Sequence, residues 1–202
     1  MKATLPLLAT LACLLFLSQA CLKKEAGPST TASSQQSAAT NGEIVIGAVF
    51  PMTGAIATYG QESINGMNLA LESINREGVE GKKIRLIVED DKGEPVDSAN
   101  AVRKLIDIDK VVAILGSVAS SNTLAGAPIA QQAGVPMMTP ASTNVTVTKT
   151  GDYISRTCFT DDFQGVVMAK FARETLKKSK AAVVVDNSSD YSKGLAQVFR
   201  QE

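Results

Sequence analysis

The strongest constraint on the fold is a regular alternation of short apolar runs with segments of helical period, which begins at Glu43. The runs are EIVIGAVF (43–50), KIRLIVED (83–90), VVAILG (111–116) and VPMM (135–138). They are short and rich in apolar residues on both faces, which is typical of buried strands in a parallel sheet. Strands that alternate with helices predict an α/β fold, with a doubly wound parallel sheet that carries helices on both faces.

The segments between these runs predict the helices. Residues 59–77 place apolar side chains at spacings of three and four, and this period indicates an amphipathic helix. Pro95 is suited to the first position of a second helix. A third helix is expected from the serines at 120 and 121 to Gly134, and Pro128 should kink it or restart it.

The same alternation continues more weakly after the fourth run. We expect a weak strand at 153–156, a helix at 163–178, a fully buried strand at AAVVV (181–185) and a helix from Tyr191 to Glu202. The last strand and helix either extend the first sheet or begin a second lobe. We expect the second arrangement, with an N-terminal lobe over 43–156 and a hinge plus an incomplete second lobe over 157–202.

The N-terminus has the pattern of a secretory signal over residues 1–20. Leu5 to Leu17 is apolar, and small residues precede Cys21. A retained membrane anchor is the alternative, although the apolar run is short for a transmembrane helix. The segment LSQA-C resembles a bacterial lipobox, which implies that Cys21 is lipidated; ordinary cleavage is the other interpretation. Residues 21–42 are rich in Ser, Thr, Ala and Gln, and this composition predicts a disordered tether.

Composition argues against an enzyme and against nucleic-acid binding. The 20 basic and 20 acidic residues give no net charge, so no nucleic-acid partner is expected. The chain has no histidine, the commonest general base and metal ligand, and we expect neither a metal nor a cofactor. The pairs Asp90–Asp91 and Asp161–Asp162 are interpreted as strand-end turns or helix starts rather than acid–base couples. Cys158 is expected to be unpaired and buried.

A ligand would bind at the turns that follow the strands, because ligands of open parallel sheets lie beyond the carboxyl ends of the strands. The turn after the third run leads into a helix N-terminus, which favours an anion, so Ser120 is a candidate for binding a carboxylate. The alternative is that Ser120 and Ser121 only cap the helix. The turn after the fourth run, TPASTN (139–144), adds small hydroxyl-bearing residues.

Four stretches carry a resemblance to a known family. They are VIGAVFPMTGAIATYGQESINGMNLALESIN, VEDDKGEP, ILGSVASSNTLAGAPIAQQAGVPMMTPASTN and ISRTCFTDDFQG. In this order they resemble the leucine/isoleucine/valine-binding family of solute-binding proteins from bacterial ABC transporters, over residues 43–202. The resemblance implies a type I periplasmic-binding-protein fold, in which two α/β lobes bind a ligand between them.

The resemblance also implies the residues of an amino-acid site. They are Tyr59, Ser120, Ala141, Ser142, Thr143 and Tyr191. Tyr59 would line the side-chain pocket, and Ser120 would bind the α-carboxylate. The Ala141 carbonyl would accept from the α-ammonium, and the Thr143 hydroxyl would contact the same polar head. Ser142 lies in the same loop, and Tyr191 matches a tyrosine of the second lobe.

The implied function is capture of branched-chain or related amino acids outside the cytoplasm and their delivery to an ABC permease. The protein would lie in the periplasm or cell envelope, anchored to the membrane through a lipidated Cys21. Members of the family are longer, so we expect this chain to be truncated and to bind ligand weakly or not at all alone. A ligand-sensing receptor domain of the same fold is the alternative, and the lipobox-like Cys21 favours transport.

Overall fold

The computed structural model of the protein describes residues 42–202. The expected signal peptide, the lipidation site at Cys21 and all but the last residue of the expected tether lie outside the described residues. The strands and helices named below therefore belong to the part of the chain that resembles solute-binding proteins.

Five parallel strands form one sheet. They are β1 (Glu43–Phe50), β2 (Lys83–Asp90), β3 (Ala113–Gly116), β4 (Met137–Thr139) and β5 (Ile154–Arg156). Their order across the sheet is β2-β1-β3-β4-β5, and every neighbouring pair is parallel. The four apolar runs are confirmed as strands, and the weaker strand near 153–156 extends the same sheet.

Five α-helices accompany the sheet in the described range. They are α1 (Ala57–Glu77), α2 (Pro95–Asp107), α3 (Ser120–Ala133), α4 (Asp161–Lys170) and α5 (Asp190–Gln201), with a 3-10 turn at Val147–Thr150 and a π-helical turn at Phe171–Thr175. Pro95 occupies the start of α2, as predicted. The predicted restart at Pro128 is wrong, since α3 runs through it. Ala127 and Ala130 of α3 are fully buried, and this packing outweighs the local preference for a break.

The sheet has an apolar core on each face. Val49 packs in one cluster with Leu105 of α2 and Ile114 of β3. Phe50, the next residue, packs in a second cluster with Ile64 of α1. Successive side chains of a strand point to opposite faces, so β1 supplies both cores. This is the predicted doubly wound architecture, and its family neighbours are identified below.

Pairing of the strands brings their carboxyl ends to one edge of the sheet. Phe50 at the end of β1 lies opposite Asp90 at the end of β2. Val49 lies opposite Gly116, the last residue of β3. Thr139 at the end of β4 lies opposite Arg156 at the end of β5. The turns that follow these strands therefore meet along this edge.

Two predictions for the last third of the chain are wrong. Residues 181–185 form no strand, and Val184 is 96% exposed. A strand needs a hydrogen-bonded neighbour, and no other segment of the described residues pairs with this one. The helix expected at 163–178 begins earlier, at Asp161, where acidic residues suit the N-terminus. It ends earlier too, because only one apolar side chain, Leu176, lies between 176 and 180.

Cys158 is unpaired, as predicted, but only partly buried. Burial raises the pKa of its thiol, and the nearby positive charge of Arg156 opposes that rise. A thiol whose pKa is raised stays protonated at neutral pH and is a poor nucleophile.

Candidate functional site

A pocket of about 340 Å³ lies at the carboxyl edge of the sheet. Five of the six predicted site residues line it, namely Tyr59, Ser120, Ala141, Thr143 and Tyr191. Its volume lies within the range of small-molecule sites. A larger hollow of about 620 Å³ lies along the 169–181 segment and the end of α5, and none of the predicted residues lines it. The smaller pocket is therefore the candidate site.

Tyr59 reaches the pocket because α1 starts close against the turn after β1. A Cβ atom on Gly60 would lie only 2.1 Å from the Pro51 carbonyl oxygen, so no larger residue fits there. This close approach fixes the first turn of the helix, which carries Tyr59. The Tyr59 side chain is 67% exposed and stands at the mouth of the pocket.

Ser120 is the first residue of α3 and is only 2% exposed. The residue at the N-cap position is Ala119, and no side chain caps this helix, so the interpretation of Ser120 as a cap is wrong. Its hydroxyl oxygen instead accepts from the Asn144 backbone N–H at 3.2 Å. The hydroxyl hydrogen remains to donate, and the N–H groups of the first helical turn lie beside it. Ser120 thus joins a helix N-terminus to the loop after β4 at the wall of the pocket.

The loop after β4 presents its residues in two directions. Ala141 and Thr143 line the pocket, and the Thr143 side chain is buried with no hydrogen-bond partner for its hydroxyl. The Ser142 side chain is fully buried and points inward, where its hydroxyl donates to the Ser117 carbonyl at 3.1 Å. Ser142 does not line the pocket, and it stabilises the loop from below.

Asp161 is a functional candidate that the sequence interpretation missed. It is 2% exposed, and neither carboxylate oxygen has a hydrogen-bond partner in the described structure. Burial raises the pKa of this carboxyl group, while the nearby Thr143 hydroxyl and the Arg156 charge oppose the rise. Its own backbone N–H donates to the Thr143 carbonyl at 2.9 Å, which holds the two residues together. A buried carboxylate without a partner is costly, and such groups cluster at functional sites.

The sequence around Asp161 gives no signal of this burial, since the flanking Phe159 and Phe163 are themselves exposed. Asp161 lies between two aromatic residues, Phe159 and Phe163, whose rings approach with centroids 6.4 Å apart. Adjacent Asp162 is exposed, and the hydrogen bond from Thr160 is the main reason that its pKa is lowered. The two neighbouring carboxylates therefore have opposite environments, which their adjacency in sequence conceals.

Tyr191 reaches the pocket because the N-terminus of α5 is attached to the sheet domain. The Asn144 side-chain amide donates to the Asp190 carbonyl at 2.7 Å. The Asp190 backbone N–H donates to the Ser121 hydroxyl at 2.9 Å. The Tyr191 hydroxyl accepts from the Gln164 side chain at 3.3 Å. These contacts place an aromatic ring opposite Ser120 and Thr143.

The remaining wall of the pocket is mainly apolar. Ile56, Val118 and Phe159 line it together with the two tyrosines. Phe159 is 56% exposed, although it is one of only nine aromatic residues in the chain. None of the three was predicted, because each lies in a turn outside the periodic segments. The site thus combines a polar corner with an apolar wall, an arrangement that binds a small molecule with one polar end.

Among residues 42–202, no group of three or more metal-ligating side chains comes together. Within the same range, no helix has the length and apolar character needed to cross a bilayer. The described pocket is therefore lined by hydroxyl groups, backbone groups, the Gln164 amide and apolar side chains, and the buried Asp161 carboxyl group lies outside this lining.

Comparison with known proteins gives a consistent family. A family model described as periplasmic binding protein matches residues 43–202. An amino acid binding protein of Pseudomonas aeruginosa is 38% identical over 162 residues, which cover 79% of this chain and 43% of that protein. A leucine binding protein structure from Thermotoga maritima has a TM-score of 0.76 and 42% identity, over 78% of this chain and 45% of that one.

A second structure similar to this chain contains a ligand. It is a branched-chain amino acid transporter substrate binding protein from Streptococcus pneumoniae in complex with isoleucine. The TM-score is 0.75 at 36% identity, over 79% of this chain and 46% of that one. The chain spans less than half the length of the curated relatives it matches.

Proposed function

The chain belongs to the periplasmic binding protein family, and we propose that it forms the amino-acid-binding part of an ABC-transporter solute-binding protein. The observation that carries this proposal is the Thr143 hydroxyl, buried and without a hydrogen-bond partner at the pocket wall, with the buried Asp161 carboxyl group next to Thr143 but outside the pocket lining. A hydroxyl that can accept, with a carboxyl group beside it, favours a ligand that donates hydrogen bonds and carries positive charge. An α-ammonium group meets both requirements.

The carboxylate of the same ligand would lie at the start of α3. The first N–H groups of a helix have no partner within the helix, and its dipole favours a negative charge there. Ser120 adds a hydroxyl donor at this point. The Ala141 carbonyl and the Thr143 hydroxyl would accept from the ammonium group, with Asp161 as its counter-charge. Donors and acceptors thus lie on opposite sides of the ligand, as a zwitterion requires.

The ligand side chain would lie against the apolar wall. The pocket-lining residues in the described structure include no lysine, arginine, aspartate or glutamate. Ile56, Tyr59, Phe159 and Tyr191 present apolar surface, and burial of apolar area stabilises a complex by about 25 cal/mol per Å². The proposed class is therefore amino acids with branched-chain or other apolar side chains.

The proposal extends to the cellular role. The chain would act in the periplasm or cell envelope by binding ligand without chemical conversion, and the loaded protein would deliver it to an ABC permease in the membrane. Cys21 is proposed as the lipidated N-terminus that tethers the protein there. Metabolic labelling with a palmitate analogue tests the anchor, and incorporation should be lost in Cys21→Ser.

The binding proposal is tested by titrating the isotope-labelled chain with leucine while recording backbone amide shifts. We expect saturable shifts at Ser120, Ala141 and Thr143. The affinity should be weak, because much of the ligand faces solvent in the described pocket. Removing the Thr143 hydroxyl in Thr143→Ala should lower the affinity roughly tenfold, the size expected for one hydrogen bond to a charged group.

Two leucine analogues provide matched controls. 4-Methylpentanoic acid lacks the ammonium group, and 3-methylbutylamine lacks the carboxylate. Each should bind more weakly than leucine, and only the acid should be insensitive to Thr143→Ala. If leucine produces no saturable shift at these residues, the proposed function is wrong for this chain.

A further inference from the structure

A fully buried carboxylate outside the pocket remains unexplained by ligand binding. Asp91 follows β2 and has no exposed surface. Its carboxylate accepts from the Ser117 hydroxyl at 2.5 Å and from the Gly93 backbone N–H at 3.0 Å. Asp91 does not line the pocket. Replacing a buried polar group of this kind by a packed apolar residue often costs little stability, so stability alone does not explain Asp91. The residues that bond to its carboxylate therefore indicate its role.

Ser117 connects Asp91 to the loop that carries the proposed ligand contacts. Its hydroxyl bonds to Asp91, while its carbonyl oxygen accepts from the Thr139 hydroxyl at 2.6 Å. The same carbonyl accepts from the Ser142 hydroxyl at 3.1 Å. The Ser117 backbone N–H donates to the Thr123 hydroxyl at 3.0 Å, and the Thr123 and Ser142 hydroxyls lie 2.7 Å apart. Every polar group of Ser117 is therefore bonded.

These hydrogen bonds determine the conformation of the loop after β4. The Thr139 hydroxyl, fixed by the Ser117 carbonyl, accepts from the backbone N–H of Ser142 at 3.0 Å and from that of Ala141 at 3.3 Å. Ala141 and Thr143 line the pocket on either side of Ser142. Because Asp91, Ser117, Thr139 and Ser142 are buried and their bonds run in series, a change at Asp91 reaches the loop through Ser117.

We propose that Asp91 is a positioning residue that, through Ser117, holds Ala141 and Thr143 in the conformation needed to bind an amino acid. The carboxylate orients the Ser117 hydroxyl, which fixes the rotation of the residue whose carbonyl holds the loop. A neutral residue of the same shape would leave the pocket in place with a loosely held polar corner. The ligand part of this inference rests on the proposed function; the contact between Asp91 and the loop does not.

Amide hydrogen exchange in Asp91→Asn and Ser117→Ala tests the connection. The backbone N–H groups of Ser142 and Asn144 report on the loop, since the first donates to the Thr139 hydroxyl and the second to the Ser120 hydroxyl. The N–H of buried Leu105 reports on global unfolding. The exchange rates of Ser142 and Asn144 should increase by roughly tenfold more than the exchange rate of Leu105. This is the size expected when one buried hydrogen bond is lost. The double variant should show little further effect, because both changes break the same link.

Ser98→Ala is the matched control. It removes another fully buried hydroxyl, which donates to the Asn122 carbonyl at 2.9 Å and makes no contact with the loop. In this variant, loop and core exchange should change together. If Asp91→Asn behaves like Ser98→Ala, or if its effect adds fully to that of Ser117→Ala, the inference is wrong. Should Asp91→Asn fail to fold, Ser117→Ala alone decides between the same outcomes.

Leucine titration of the same variants separates this inference from the proposed function. If the unaltered chain binds leucine, Asp91→Asn should weaken binding several-fold while Ser98→Ala does not. Unchanged leucine affinity in Asp91→Asn would overturn the positioning role. If the unaltered chain does not bind leucine, the proposed function fails, and the exchange experiment still decides whether Asp91 holds the loop.

Discussion

At the scale of single residues, the site is defined by polar groups that folding leaves without partners. Most buried polar side chains of the described residues are bonded, as Asp91 and Ser142 illustrate. Within residues 42–202, Asp161, Thr143 and the Asn122 amide nitrogen depart from this rule, and the first two residues lie together. Sequence reasoning identified Thr143 through its loop but not Asp161, because burial depends on the packing of α4 and α5 rather than on local pattern. A Gly194 Cβ would lie 3.3 Å from an Asp161 oxygen, which shows how closely α5 covers it.

Asp161→Asn should stabilise the ligand-free chain at neutral pH and weaken leucine binding. Burial raises the pKa of Asp161 in the folded state, so ionisation disfavours folding. The cost is absent below the unfolded-state pKa of about 3.9, grows as pH rises from there to the raised folded-state pKa, and is constant above it. We expect a gain in the free energy of unfolding at pH 7, where the substitution removes the buried negative charge, and no gain at pH 3, where the carboxyl group is protonated in both states. Urea unfolding at both pH values measures it.

Asp162→Asn is the control for this prediction, because it removes the same charge from the adjacent exposed position. A hydrogen bond from Thr160 lowers the pKa of Asp162, so its ionised form supports the fold above the unfolded-state pKa. This variant should lose a little stability at pH 7 and leave leucine binding unchanged. Equal effects of the two substitutions would contradict the assignment of Asp161.

At the scale of secondary-structure elements, the sequence predicted the bounds of an element correctly where local pattern and tertiary packing agree. β1 and β2 have the predicted bounds, because apolar runs and flanking turns specify them together. The attachment of α5 could not be predicted, since it depends on a contact between Asn144 and Asp190, which are 46 residues apart. Placement of Tyr191 in the pocket follows from this contact and not from the period of α5.

Asn144→Asp should release the N-terminus of α5 while preserving the turn below it. The Asn144 oxygen accepts from the Thr146 backbone N–H and hydroxyl, and a carboxylate retains this acceptor. The side-chain donor to the Asp190 carbonyl is lost. Exchange of the Asp190 and Ser192 amides should accelerate, and the Tyr191 ring resonances should shift. Asn100→Asp, the same substitution at an exposed position of α2, should affect neither the amide exchange nor the Tyr191 resonances. If amide exchange is unchanged in Asn144→Asp, Asn144 does not hold the N-terminus of α5.

At the scale of the whole molecule, the sheet has two buried cores, whereas α4 and the segment that follows it leave large apolar side chains exposed. Phe163, Val167, Phe171 and Val184 are each at least 48% exposed, whereas the residues of the two sheet cores are buried. Sequence predicted a buried strand at 181–185 because the run is apolar and β-branched. Such a pattern predicts a strand only where a neighbouring strand is present to pair with it. The described residues contain no strand that pairs with 181–185.

Extended apolar backbone without a partner is a template for pairing with another chain. We therefore expect the chain to self-associate as its concentration rises, with a mass above 21.2 kDa in sedimentation velocity. Val184→Lys places a charge in the exposed run and should lower the associated fraction, because charged side chains on unpaired strands oppose edge pairing. Val96→Lys makes the same change at a position that is 73% exposed on α2. If both variants reduce association equally, general surface charge rather than the 181–185 segment is responsible.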